Sequence, residues 1–99
     1  MIERVPPQNI EAEQAVIGGM LIEKEAISKV AEFLKADDFY REAHRLIFEA
    51  MLELFNKNEA VDLVTVKEVL QKNDKLGAVR INAYITTLAN SVATAVHIN

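Results

Sequence analysis

His44 and His97 are the only two histidines in a chain of 99 residues that has no cysteine. A metal centre would therefore have to be completed by carboxylates, and there is no thiolate nucleophile. Neither histidine stands in a His-Glu-x-x-His or paired Glu-x-x-His element, the spacings that bring zinc or di-iron ligands onto facing helix surfaces. His44 falls at the edge of an apolar helical stripe, where a hydrogen-bonded structural histidine is the expected role. Asp37 and Asp38 are adjacent carboxylates, but neighbours at a helix start point in different directions. Capping, with Asp37 over a short turn, is expected of them instead of acid/base work. The three glycines, Gly18, Gly19 and Gly77, cannot form the Gly-x-x-x-x-Gly-Lys-Ser/Thr loop whose amides cradle phosphates. No catalytic, cofactor-binding or metal-binding residue is assigned.

Two surface features remain. Arg41 and Arg45 lie at i and i+4 on one helix face, and pairing with Glu42, Glu49 or Asp37/Asp38 accounts for them more simply than a nucleic-acid contact. Tyr84, with Thr87 and Ser91 continuing its line at +3 and +7, is either a partner interface or a core-edge tyrosine with its hydroxyl in water.

The elements that must position these residues read as helices throughout. Pro6 and Pro7 impose an extended arm over residues 1–8, after which Asn9 is placed to cap a helix starting near Ile10. That helix carries Ala12, Ala15, Val16, Gly19 and Met20 on one flank and Ile10, Ile17 and Leu21 on another. Gly18 and Gly19 in it imply a neighbouring helix packed against a surface without side chains. Ile27, Val30, Ala31 and Leu34 form a stripe over 25–34, and Phe39 and Tyr40 are placed to plug the junction that follows. Arg41 to Phe55 is the longest periodic segment, with Ile47, Ala50, Met51 and Leu54 on one stripe, and Asn56-Lys57-Asn58 ends it. The β-branched run from Val61 to Val66 has no partner hairpin, so Asp62 reads as the N-cap of a helix ending near Lys72. Asn73 to Gly77 reads as a turn, and Ile81 to Ser91 as the last full helix. The bundle thus spans 9–92, and 93–99 read as the start of a further, truncated helix.

Composition narrows the function classes. With 51% hydrophobic and 26% charged residues the chain is a single globular domain and not a disordered segment. Net charge −4 and pI about 5.1 argue against a free-standing binder held by many phosphate contacts. Residues 1–5 lack the apolar core of a signal peptide, and no run approaches a membrane span, so a cytoplasmic setting is expected.

The segment Pro6-Pro7-Gln8-Asn9-Ile10-Glu11-Ala12-Glu13-Gln14-Ala15-Val16-Ile17-Gly18 closely resembles the opening of the N-terminal domain of the bacterial replicative DNA helicase, the hexameric DnaB family. Asp38-Phe39-Tyr40-Arg41 with His44 and Ile47-Phe48, then Val61 to Val66, then Ala83-Tyr84 through Val92 with Thr94-Ala95, follow that family in order. Arg80-Ile81-Asn82 departs from a usual Gly-Gly turn, and Ala93 from a common proline. The resemblance implies an all-α fold, a small orthogonal multi-helix bundle, with the family's C-terminal helical hairpin missing from this chain. It also implies a collar domain without catalysis, in a parent helicase that uses ATP and magnesium. The partners it implies are other helicase subunits, primase and a helicase loader, with DNA passing through the parent ring and not held tightly here. The partner interface it leaves open is assigned to Tyr84, Thr87 and Ser91. The alternative is a stand-alone helical adaptor related to the helicase-binding domain of primase or to a loader.

Overall fold

The central element is a helix over Glu42–Asn56, α3, in a computed structural model that describes residues 9–23, 25–73 and 75–98, with the backbone alone for 75–79 and 92–98. His44, Ile47, Phe48, Ala50, Met51 and Leu54 of α3 are buried, the single broad stripe that its sequence period dictates. Asn58, at φ 61°, takes the left-handed conformation that asparagine tolerates. Its N–H donates to the Phe55 carbonyl at 3.1 Å and the Glu59 N–H to that of Leu54 at 2.9 Å, a Schellman closure that satisfies two otherwise orphaned carbonyls.

The next helix, α4, covers Leu63–Asn73 and begins as expected at Asp62. The Thr65 N–H donates to Asp62 Oδ1 at 2.9 Å while the Asp62 N–H donates to Thr65 Oγ1 at 3.0 Å, a reciprocal cap. Val61, Val66, Val69 and Leu70 are buried by it. Among the described residues the chain forms five α-helices, one 3₁₀ turn and no strand.

Ahead of α3 lie α1 (Ile10–Ile22), α2 (Ala26–Val30) and the 3₁₀ turn at Ala36–Asp38. The buried side of α1 runs through Glu13, Ile17, Gly18, Met20 and Leu21, whereas Ala12 and Ala15 are exposed. The flank assigned from sequence is therefore only partly the buried one, because a helix apolar on most sides gives the hydrophobic effect no direction to choose. Asn9 makes no side-chain capping bond, since its backbone (φ −93°, ψ 13°) is not in the extended conformation that aims a cap. Gly18 is buried, but a Cβ on Gly19 would meet nothing within 4 Å, so no neighbouring helix accounts for Gly19.

Past Val30, bonds of the tighter i to i+3 kind, Phe33 N–H to Val30 at 3.1 Å among them, end α2 sooner than its stripe predicts. Phe33 is left outside, 72% exposed. In the 3₁₀ turn the capping carboxylate is Asp38, not Asp37, its Oδ2 accepting from the Lys35 N–H at 2.8 Å. Phe39 plugs the junction, with its ring 5.2 Å from that of Phe48, while Tyr40 stays exposed.

The last helix, α5, differs most from expectation. It runs unbroken over Lys75–Ile98, so the turn placed near Gly77 and the break placed after Val92 are both helical. The physical reason is that no proline falls within 75–98 and Gly77 is its one glycine. A lone Gly77 costs about 1 kcal/mol, too little to stop a helix that packs on both α1 and α4. No helix among the described residues is long and apolar enough to cross a membrane.

Replacing Asp62 by alanine removes the reciprocal cap of α4 and is expected to cost about 1 kcal/mol. In a domain of this size that is a fall of about 4–8 °C in Tm, measurable by circular dichroism.

Candidate functional site

Three helices each send one polar side chain to a common point. Glu13 from α1 and His44 from α3 are 5% and 0% exposed, and Tyr84 from α5 is half-buried. His44 Nδ1 lies 2.7 Å from Glu13 Oε1, and His44 Nε2 lies 2.7 Å from the Tyr84 hydroxyl. A carboxylate can only accept, so Nδ1 carries the proton, Nε2 is the acceptor and the tyrosine donates to it. The rings of His44 and Tyr84 stack with centroids 5.6 Å apart.

The other polar atoms of this network are bonded as well. Glu13 Oε2 accepts from the Tyr40 N–H at 2.6 Å, and Oε1 also accepts from the Arg41 N–H at 3.4 Å. The Tyr84 oxygen accepts from Gln14 Nε2 at 3.2 Å and Arg41 Nη1 at 3.3 Å. Burial by itself would raise the Glu13 pKa, but the bonds from His44 and from the Tyr40 and Arg41 amides outweigh it and hold the group below its ordinary value. His44 is also pushed down, first by burial and further by the Arg41 charge, although Glu13 pulls the other way. A neutral imidazole beside an ionised carboxylate is the consistent state.

A tyrosine, a histidine and a glutamate in line resemble an acid/base relay, but both imidazole nitrogens are occupied within the protein and the imidazole is fully buried. The arrangement holds side chains of three helices in fixed orientation. Among the described residues no group of three His, Asp or Glu side chains is placed to hold a metal. His44 is buried and hydrogen-bonded at both ring nitrogens.

The structure changes the reading of the arginines. Among the described residues Arg45 pairs with no carboxylate: its Nη1 donates to the carbonyls of Phe39 and Tyr40, both at 2.9 Å, and so closes the corner before α3. Arg41 lies with its guanidinium carbon 6.0 Å from the centroid of the Tyr84 ring. The Tyr84 hydroxyl is held by three side chains and is not left to water. Thr87 and Ser91 are exposed on the same helix, and Thr87 Oγ1 donates back to the Ala83 carbonyl at 3.1 Å. Tyr84 also borders a shallow apolar depression of about 300 Å³ lined with Arg41, Ala43, Arg80 and Ile81.

Glu13 and Gln14 were missed as members of this network. A signal was present, since a histidine on an apolar stripe needs a buried partner from another helix and Glu13 falls in line with Ile17, Met20 and Leu21.

A family profile described as DnaB-like helicase N-terminal domain matches residues 5–99. The chain belongs to the DnaB-like helicase N-terminal domains. This DnaB-like domain is 49% identical over 96 residues to the replicative DNA helicase DnaC of Bacillus subtilis, covering 97% of this chain and 21% of that protein. It is 44% identical over 96 residues to the replicative DNA helicase DnaB of Geobacillus stearothermophilus, covering 97% of this chain and again 21% of the relative. The chain thus spans about a fifth of the length of these curated relatives. Among solved structures, the N-terminal domain of DnaB helicase from Mycobacterium tuberculosis superimposes with a TM-score of 0.77 at 42% identity, over 89% of this chain and 64% of that one.

Two outcomes test the network of this DnaB-like domain. Tyr84→Phe leaves His44 Nε2 buried without its donor and should cost about 1–3 kcal/mol in a urea unfolding titration. Acid should destabilise the fold in two stages. Because folded His44 binds a proton less readily than the unfolded chain, stability falls as pH drops below its ordinary value of 6.5 towards the lowered one. Glu13, also lowered, adds a second loss as pH falls below 4.5 and through its folded value. Tm measured against pH should show both, and His44→Gln should remove the upper stage while also reducing the lower one, since His44 is among the groups that hold Glu13 down.

Proposed function

We propose that this domain is a non-catalytic collar of a replicative DNA helicase, contributing to hexameric ring assembly and to the docking of primase. The observation that carries the reading is the match of nearly the whole chain to one fifth of replicative helicases. The parent enzyme, on this reading, uses ATP and magnesium in a motor domain and works in the cytoplasm. These 99 residues hold no Gly-rich loop with Lys-Ser/Thr to bind the nucleotide themselves. Net charge −4 favours a protein-binding role over a strand-binding one, with DNA passing through the parent ring.

The partner face we assign is the line Tyr84, Thr87 and Ser91 of α5. Its support is mechanical: Tyr84 is pinned from beneath by His44, Gln14 and Arg41, while Thr87 and Ser91 stand exposed beyond it. A preset anchor loses little rotamer freedom on binding. Coupling primase to a ring in this way raises its effective concentration at the emerging single strand and requires no new chemistry. A helicase loader is a second partner of the same kind.

Thr87→Arg and Ser91→Arg place bulk on the exposed line without touching the buried network. Each should weaken binding of the C-terminal region of primase about tenfold or more, measured by calorimetry, with Tm unchanged. Unaltered affinity in both variants would remove this face from the interface.

A further inference from the structure

The hydrogen bonds around Tyr84 close for a neutral His44 and do not close for a protonated one. With His44 neutral, the tyrosine hydrogen goes to Nε2 at 2.7 Å, and the oxygen accepts from Gln14 Nε2 at 3.2 Å and Arg41 Nη1 at 3.3 Å. That is the full capacity of a hydroxyl, one donor and two acceptor positions. A further proton can enter His44 only at Nε2, because Nδ1 already donates to Glu13 Oε1 at 2.7 Å. Nε2 then becomes a donor, and the acceptor it faces among the described residues is the same tyrosine oxygen. The tyrosine hydrogen loses its acceptor at that moment, and one of the two older donors must give way. Arg41 cannot turn into an acceptor, since a guanidinium has none. Gln14 can. Its amide has a donor at one end and an acceptor of nearly the same shape at the other, so a half-turn puts Oε1 where Nε2 was without displacing a neighbour. Gln14 is half-buried, its Oε1 has no partner among the described residues, and the one buried side-chain polar atom among them left without a partner is Asn82 Oδ1.

We propose that Gln14 is the reversing element of a proton-sensitive hydrogen-bond chain: when His44 takes up a proton, the Gln14 amide turns over, His44 Nε2 donates to the Tyr84 oxygen, and the Tyr84 hydroxyl donates to Gln14 Oε1. The imidazole and the hydroxyl are then bonded in both states, Arg41 keeps its place, and Tyr84 stays seated on α5. Protonation within the core thereby changes the polarity of one side chain at the seam of α1 and α5, where the outer end of Gln14 exchanges a carbonyl for an NH₂ group. The charged and titratable groups that face His44 are Glu13 from α1, Arg41 from the corner before α3 and Tyr84 from α5, with the Phe39 ring edge-on at 6.3 Å. Glu13 favours the charged imidazole, and Arg41 opposes it. This device goes beyond the collar role and does not depend on which protein covers α5.

The test is an NMR titration of the isotope-labelled 99-residue chain from about pH 8 to about pH 4, reading the His44 ring nitrogens and the Gln14 side-chain amide. In the unsubstituted protein the Gln14 NH₂ signals should move with the His44 midpoint. Gln14→Leu keeps the bulk of the side chain and can neither donate nor accept. A tyrosine oxygen that loses one of two donors keeps the other, whereas a hydroxyl hydrogen without an acceptor is left unsatisfied, so this variant penalises the protonated state more. Its His44 midpoint should fall by about half a pH unit or more, about threefold in proton affinity. In the Tyr84→Phe background, which has no hydroxyl to relay the change, the same Gln14 substitution should leave the midpoint where it is. A midpoint that rises in Gln14→Leu would make Gln14 a fixed donor, and an unchanged one would mean that water or a departing Arg41 takes up the change; either overturns the proposal. So does an effect that persists without the tyrosine hydroxyl. Gln14 NH₂ signals that ignore the His44 titration also overturn it, a readout that stands even if the leucine variant fails to fold.

Discussion

The buried carboxylate of Glu13 is the constraint on which the arrangement turns. An ionised group removed from water without partners is costly, and it is tolerated here because the His44 imidazole and the Tyr40 and Arg41 amides all donate to it. Those donors come from α3 and from the corner that precedes it, so meeting the demand of one side chain sets the rotation of α1, the path of residues 39–41 and the tautomer of His44. Hydrophobic burial could not have done this alone. The apolar residues of α1 nearly encircle it, and several rotations would bury similar areas.

What the network holds outward matters for function. His44 passes the constraint to Tyr84, whose hydroxyl is also gripped by Gln14 and Arg41. The partly exposed Tyr84 is thereby fixed on α5 beside a hollow bordered by arginines. The polar groups that would look catalytic in a list are spent on one another.

The length of α5 shows how few residues decide an architectural detail. With arginine, isoleucine and asparagine at 80–82 and alanine at 93, neither end of the expected helix meets a breaker. Arg80, Ile81, Tyr84, Thr87 and Ser91 all lie on this one rod and keep helical register with one another.

Much of the helical plan is determined locally, and for that reason the sequence by itself determined it. The stripe of α3, the left-handed Asn58, the Asp62 cap and the apolar face of α4 depend on residues within a few positions of each other, where period, caps and turns act. The family, too, was legible from motifs in order along the chain. The tertiary structure alone decided which side of α1 is buried, that Arg45 bonds carbonyls in place of carboxylates, and that Glu13, His44 and Tyr84 meet. The last of these joins positions 31 and 40 residues apart in the chain, and only the packing of three helices brings such groups within 2.7 Å. Periodicity says that a helix has an inside; which polar groups share that inside is settled by the requirement that each find a partner there.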